Sequence, residues 1–405
     1  MEKRIFYKSA LVLVLILCPG FLTGQSVYDL ILKADALNKG GDPVSAIKLL
    51  TPFLESTPDS RLYALRAQSY LANGDYESAA ADYTSAEKLK EGAGAFGLSG
   101  IYSIRGDAAG AIKFLEKGMS SSARKSEKEI MLDPAFSRIE NSPEWRQFWK
   151  KDWYPASERD LSQLEYLIGT GKIDDAADLV ASMAGNYPGD VNTEYARALL
   201  NSSAGKNDEA VKILTSLLSG KPDERRYLSL LAQIQVNMSN YAGGSATLSK
   251  MISLEIPDAT LFLKRAECYR KNGELKNASA DIDKFLSLYP ADKGAIRMAG
   301  LLKAASGDNL GAIGYYSENI RLNPGDAGCF NDRANAYFIS KSWDWAIKDY
   351  SMSLDLDPAN SEVWLNKGIA LINSGKEADA CHDFRMSFNL GNKKATEYIS
   401  KYCIK

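Results

Sequence analysis

The sequence has one histidine, His382, in 405 residues. A lone imidazole cannot assemble a multi-histidine metal site, and any His-dependent nucleophilic triad would have to be built around it. Cysteine is also scarce: five residues are too few for a disulfide-stapled scaffold. Neither sign of charge is in excess, with 49 Lys and Arg against 51 Asp and Glu and a net charge of −2. That balance argues against a general polyanion binder, which needs a basic surplus. Low hydrophobicity is absent too: 45% hydrophobic and 25% charged residues exclude a disordered chain. The phosphate loop GxxxxGKS/T, a Rossmann fingerprint after a strand and the serine elbow GxSxG are all missing. Carboxylates abound, but pairs such as Asp281 and Asp283 or Asp355 and Asp357 are two apart and do not share a helix face. The expectation is a chain with no catalytic site, no cofactor and no metal, in which His382 is a surface or seam residue.

Long hydrophobic runs are missing except at the start, where Ala10–Cys18 reads ALVLVLILC after Lys3, Arg4 and Lys8. Nine residues at about 1.5 Å each fall far short of a hydrocarbon core of about 30 Å, and Pro19 and Gly20 follow. Residues 1–24 therefore read as a secretory signal cut after Gly24, with export to the periplasm or cell envelope as the expected localisation. Membrane association is expected only if Cys18 is lipidated, and the bulky Leu17 before it is unfavourable for that. Beyond the signal, Cys268, Cys329, Cys381 and Cys403 allow three pairings. Cys381 with Cys403 is the pair to test first, and buried free thiols are the alternative.

What the sequence does have is a period. From Ser157 to Leu390 and on to residue 394 it falls into seven gapless blocks of 34 residues, starting at Ser157, Val191, Arg225, Ala259, Lys293, Ala327 and Ser361. The eighth position holds Leu164, Ala198, Ala232, Ala266, Gly300, Ala334 and Gly368. The twentieth holds Ala176, Ala210, Gly244, Ala278, Ala312, Ala346 and Ala380. Small residues there let two helices of a hairpin approach closely. Glycine at the fifteenth position, replaced by Ser239 and Lys341 in two blocks, supplies positive φ at the helix end. The twenty-fourth position is bulky throughout, from Val180 to Phe384, and a proline closes most blocks. Each block is a helical hairpin that must stack on a neighbour to bury its face.

This pattern resembles the tetratricopeptide repeat family. Phe330, Ala334, Tyr337, Ala346, Tyr350 and Pro358 stand in its register, as do Trp364, Gly368, Leu371, Ala380 and Phe384. Met183, Leu217, Met251 and Phe285 depart from it at a position that is usually small, which predicts wider splay in the middle of the array. Three looser blocks begin at Val27, Ser60 and Gly92. The expected fold is an all-α solenoid of about ten hairpins, which the resemblance makes a right-handed superhelix. Its parts are an N-terminal array over 25–119, an aromatic-rich insert over 120–156, a C-terminal array over 157–394 and a capping helix over 395–405.

The insert crowds Trp145, Phe148, Trp149, Trp153 and Tyr154 into ten residues. Trp145, Trp149 and Trp153 are candidates for a partner surface. The spacing 145, 148, 149 equally fits one buried helix face, and a packed plug is the favoured reading.

In the family this chain resembles, the first helix of each hairpin lines a concave groove through its second, fifth, ninth and twelfth positions. Carried over by position, these give Tyr195, Arg226, Gln233, Glu267, Arg270, Arg297, Asn331, Asn335, Phe338 and Leu365 as groove candidates. Arginine, aromatic and amide groups suit peptide recognition. A carboxylate clamp for acidic chain ends is not expected. Asn335 stands at the ninth position and Asn366 in the following block, but Asn331 holds the fifth position where a lysine is needed, and the basic pair is replaced by Thr396 and Ser400. The expected function is a non-catalytic interaction scaffold of the bacterial cell envelope with a protein or peptide partner and no nucleic acid. An outer-membrane-associated secretion or assembly component is the alternative, and an enzyme sited at the insert ranks below both.

Overall fold

The structure is a computed structural model that describes residues 26–122 and 124–403. The signal segment with Cys18 lies outside the described residues. Among the described residues all regular structure is helical, and the chain forms two units that meet in sequence between Ala135 and Phe136.

The first unit holds three hairpins: α1 (Val27–Lys39) with α2 (Pro43–Ser56), α3 (Ser60–Ala72) with α4 (Tyr76–Leu89), and α5 (Ala95–Ile104) with α6 (Ala108–Met119). A short helix, α7 (Glu127–Met131), follows, closed by a reciprocal cap between Ser126 and Glu129. The second unit begins with a short helix, α8 (Pro143–Phe148). Seven hairpins follow: α9 (Ala156–Gly169) with α10 (Ile173–Asn186), α11 (Val191–Ser203) with α12 (Asn207–Gly220), α13 (Arg225–Asn237) with α14 (Tyr241–Ser253), α15 (Thr260–Lys271) with α16 (Leu275–Leu288), α17 (Lys293–Ala305) with α18 (Asn309–Leu322), α19 (Ala327–Ile339) with α20 (Trp343–Leu356), and α21 (Ser361–Asn373) with α22 (Glu377–Asn389). The last helix is α23 (Ala395–Tyr402).

The boundaries follow from local chemistry. Aspartates at N-caps, among them Asp42, Asp75, Asp107, Asp292 and Asp308, accept from the amide three residues on. Every hairpin turns through a residue in the left-handed region. Eight of the ten turns use glycine, and the other two use Ser239 and Lys341, both at φ 58°. Only glycine takes that conformation without a Cβ clash, so these two turns carry strain.

Packing follows the period. Ala67, Ala79, Ala198, Ala210, Ala266, Ala278, Ala334 and Ala346 are fully buried where the helices of a hairpin cross. In two hairpins the approach is closer still. A Cβ on Gly300 would stand 2.5 Å from the Tyr316 ring, and one on Gly368 2.5 Å from the Phe384 ring. A second device recurs sixteen residues apart. Arg66, Arg265 and Arg333 each grip a buried aspartate on the second helix with two hydrogen bonds: Asp82, Asp281 and Asp349. Each also donates to a hydroxyl of the preceding hairpin, Thr51, Ser249 or Ser317. These guanidinium groups lie over flanking rings, such as Phe262 and Tyr269 for Arg265. One side chain thus bolts two hairpins together. In the last repeat Lys367 takes this place against Asp383.

The end of the array is covered by α23, whose Tyr398 and Ile399 pack on the Phe384 cluster. A disulfide joins Cys381 to Cys403 across a Cα separation of 5.6 Å, and Cys268 and Cys329 are buried free thiols. No described helix is long and apolar enough to cross a membrane. First helices of successive hairpins touch one another, as α9 does α11, α11 does α13 and α17 does α19. The second helices show no comparable contact, so within the second unit the first helices form the inner face.

Candidate functional site

The inner face is set by helical spacing. Positions two, five, nine and twelve of a first helix are three or four apart, and they project together. In α13, Arg226 and Gln233 are exposed, with the Gln233 amide donating to Asn237 Oδ1 at 2.9 Å. In α15, Glu267 and Arg270 are half-buried and bind each other through two bonds of 2.7 and 2.6 Å. That ion pair raises the Arg270 pKa, since the carboxylate favours the charged form. Farther along, Arg297 of α17 binds Asp332 of α19, linking two neighbouring hairpins across the face. Asn335 Oδ1 accepts from the Tyr350 phenol at 2.7 Å, and Asn331 Oδ1 is shut from solvent with no donor among the described residues. Phe338 is half-buried, edge-on to Trp343 at 5.0 Å.

Two of the expected groove residues do not belong to an open surface. Tyr195 is 6% exposed because α13 closes over it: its ring lies 5.3 Å from Tyr227, and Arg226 covers it. Burial, first among the causes, pushes its phenol up to about 12. Leu365 is 5% exposed because α23 and the Phe384 cluster enclose it. The insert needs a similar correction. Trp145 is 6% and Phe148 1% exposed, and Phe136, Trp145, Phe148, Trp149 and Trp153 form one stacked cluster with neighbouring rings 4.9–6.2 Å apart. Trp153 Nε1 donates to the Phe148 carbonyl, and Trp149 and Trp153 remain only half-buried. These aromatics make a small core of their own, and Trp145 offers nothing to a partner.

The structure adds a feature of the inner face that the sequence reading missed. Between α13, α14 and α15 lies a cavity of about 340 Å³. Its floor is Ala232, Leu248, Met251, Leu261 and Cys268, all buried, and its rim carries Ser229, Gln233, Lys264 and Glu267. Burial raises the Cys268 thiol pKa, so this sulfur is an apolar wall rather than a nucleophile. Gln233 and Glu267 are the expected groove residues that reach it. Leu248, aliphatic at a position where the last three blocks carry a ring, was the available signal. His382 stands apart, 69% exposed, with Nδ1 3.2 Å from Asp383 and its ring edge-on to Trp364. Apolar walls and hydrogen-bonding rims equip this face for binding a chain segment.

The repeat is shared with known proteins. Models of the tetratricopeptide repeat match residues 167–234 and, in a second form, 31–95 and 65–121. The small glutamine-rich tetratricopeptide repeat-containing protein 2 of Saccharomyces cerevisiae is 27% identical over 106 residues, 26% of this chain and 31% of that protein. Tetratricopeptide repeat protein 36 of Xenopus tropicalis is 28% identical over 127 residues, 30% and 63% of the two chains. This chain thus spans from about a third to under two thirds of these relatives. Among solved structures, MamA aligns at a TM-score of 0.39 and 19% identity, over 41% of this chain and 97% of its own. The Cut9–Hcn1 assembly aligns at 0.44 and 15%, over 92% and 83%.

Proposed function

Given that this chain belongs to the tetratricopeptide-repeat family, we propose that it is an exported, non-catalytic scaffold that binds a peptide or protein segment along the inner face of its second unit. The carrying observation is the row of first-helix side chains from Arg226 to Phe338, in which Gln233 and Glu267 set an amide and a carboxylate on the rim of an apolar cavity. Two things support export: the signal-like start of the sequence, and the Cys381–Cys403 disulfide, which persists in an oxidising compartment. A periplasmic or cell-envelope site fits both. In-cell photo-cross-linking tests the binding reading. A photoreactive side chain at Asn331 should capture a defined polypeptide, and one at Lys284, on a second helix, should not. Equal capture at both positions, or turnover of a substrate by the purified chain, would overturn it. Recovery of the chain from cytosol with both cysteines reduced would overturn export alone.

A further inference from the structure

The cavity between α13, α14 and α15 has Leu248 in its wall, at a repeat position that carries a ring in sister hairpins. In the last three hairpins a ring projects from the twenty-fourth position onto the first helix: Tyr316 onto Gly300, Tyr350 beside Ala334, and Phe384 onto Gly368. Tyr350 shows how far such a ring reaches, because its phenol meets Asn335, at the ninth position, on the inner face. In the hairpin of α13 and α14 the twenty-fourth residue is Leu248 and the ninth is Gln233, and both line the cavity. The other second-unit hairpins with an aliphatic residue at position twenty-four carry Ala176, Ala210 or Ala278 at position twenty. Here that residue is Gly244, and Cys268 Sγ and Val236 Cγ2 close over it, 3.2 and 3.3 Å from where a Cβ would stand. The cavity therefore opens beside Leu248, the position from which three sister hairpins send a ring to their first helix.

We infer that this cavity receives an aromatic side chain, tyrosine in preference, from the partner segment; the inference rests on the scaffold reading above. The ring takes the place that Tyr350 takes in its own repeat. Its hydroxyl reaches the Gln233 amide as the Tyr350 phenol reaches Asn335. Its faces meet Leu248 and the sulfurs of Met251 and Cys268, which favour aromatic contact. A charged group driven to the floor would have no partner there.

The test uses the full chain with methyl-labelled methionine and p-cresol, the free tyrosine side chain, as the probe. Titration should shift the Met251 methyl signal saturably, with affinity about tenfold above that for isobutanol. Leu248→Tyr, which fills the space from within, should melt cooperatively at or above the wild-type temperature and weaken p-cresol binding by about tenfold or more. A Met251 signal that ignores p-cresol in the folded wild type, or unchanged binding in Leu248→Tyr, overturns the inference. Should Leu248→Tyr not fold, Gln233→Ala on the exposed rim decides: it should erase the preference for p-cresol over toluene, and a retained preference overturns the role of the rim. Selection of displayed random peptides on the wild type separates the two readings. Binders without aromatic residues, equally tight on Leu248→Tyr, sink the cavity inference and leave the scaffold. If no peptide binds while p-cresol still fills the cavity, the scaffold reading fails instead.

Discussion

Arg333 and Asp349 hold each other by two parallel hydrogen bonds of 2.6 and 2.9 Å across the α19–α20 hairpin. The carboxylate is 3% exposed, and the guanidinium also reaches Ser317 of the preceding hairpin. Removing the cation alone strands a buried negative charge. Arg333→Met should therefore lower the stability of the second unit by about 3 kcal/mol. A denaturant midpoint unchanged from wild type would show that the clamp carries no net energy.

The last hairpin offers the reverse experiment. Lys367 reaches Asp383 only at 3.3 and 3.5 Å, as a point charge where its sisters present a fork. Lys367→Arg should stabilise α21 and α22 by about 1 kcal/mol through the second bond, read as a higher thermal midpoint and slower hydrogen exchange in these helices.

Lys341 turns the α19–α20 hairpin at φ 58°, where its sister turns use glycine. Lys341→Gly should gain about 1 kcal/mol, and Gly307→Ala should lose a similar amount. Equal melts for all three proteins would remove left-handed strain from the account.

Ala346 is fully buried against α19. Ala346→Leu should wedge the hairpin apart and cost about 1–3 kcal/mol. Because hairpins contact only neighbours, hydrogen exchange should accelerate in α19 to α21 and stay as in wild type in α11.

Glu87, near the end of α4, accepts from the amides of Gly92 and Gly94 at 2.9 Å each, and Lys117 lies 2.9 Å away. It thereby caps α5, whose N-cap Gly94 has no side chain to do so. Burial pushes its carboxyl up, but the amide donors and Lys117 outweigh burial and hold it below the ordinary 4.5. A depressed carboxylate stabilises the fold above its unfolded value, and that contribution disappears as pH falls through the folded value. The first unit should lose stability as pH drops below about 4.5, and Glu87→Gln should flatten that limb in acid titrations of the melting temperature.

The helical hairpins were legible because their cause is local and repeated. Ala346 and Gly307 recur at fixed steps, and any chain that packs helix on helix at that period meets the same steric demand. Polar inner-face residues such as Glu267 and Asn331 were legible only through the family resemblance, which says which first-helix positions line the face. Tyr195 and Leu365 were not, since a repeat position says which way a side chain projects and nothing about what the next element lays over it. Tyr227 covers the first and α23 the second.

Sequence alone therefore determined the period and the turn sites, consequences of residue size and backbone freedom within one block, and the family resemblance added which helix of each hairpin faces inward. Tertiary structure decided which projecting side chains stay open, and that one hairpin keeps an empty space. Both depend on volumes summed over three helices: Leu248, Met251 and Cys268 are each unremarkable in their own block and line a cavity only when α13, α14 and α15 come together.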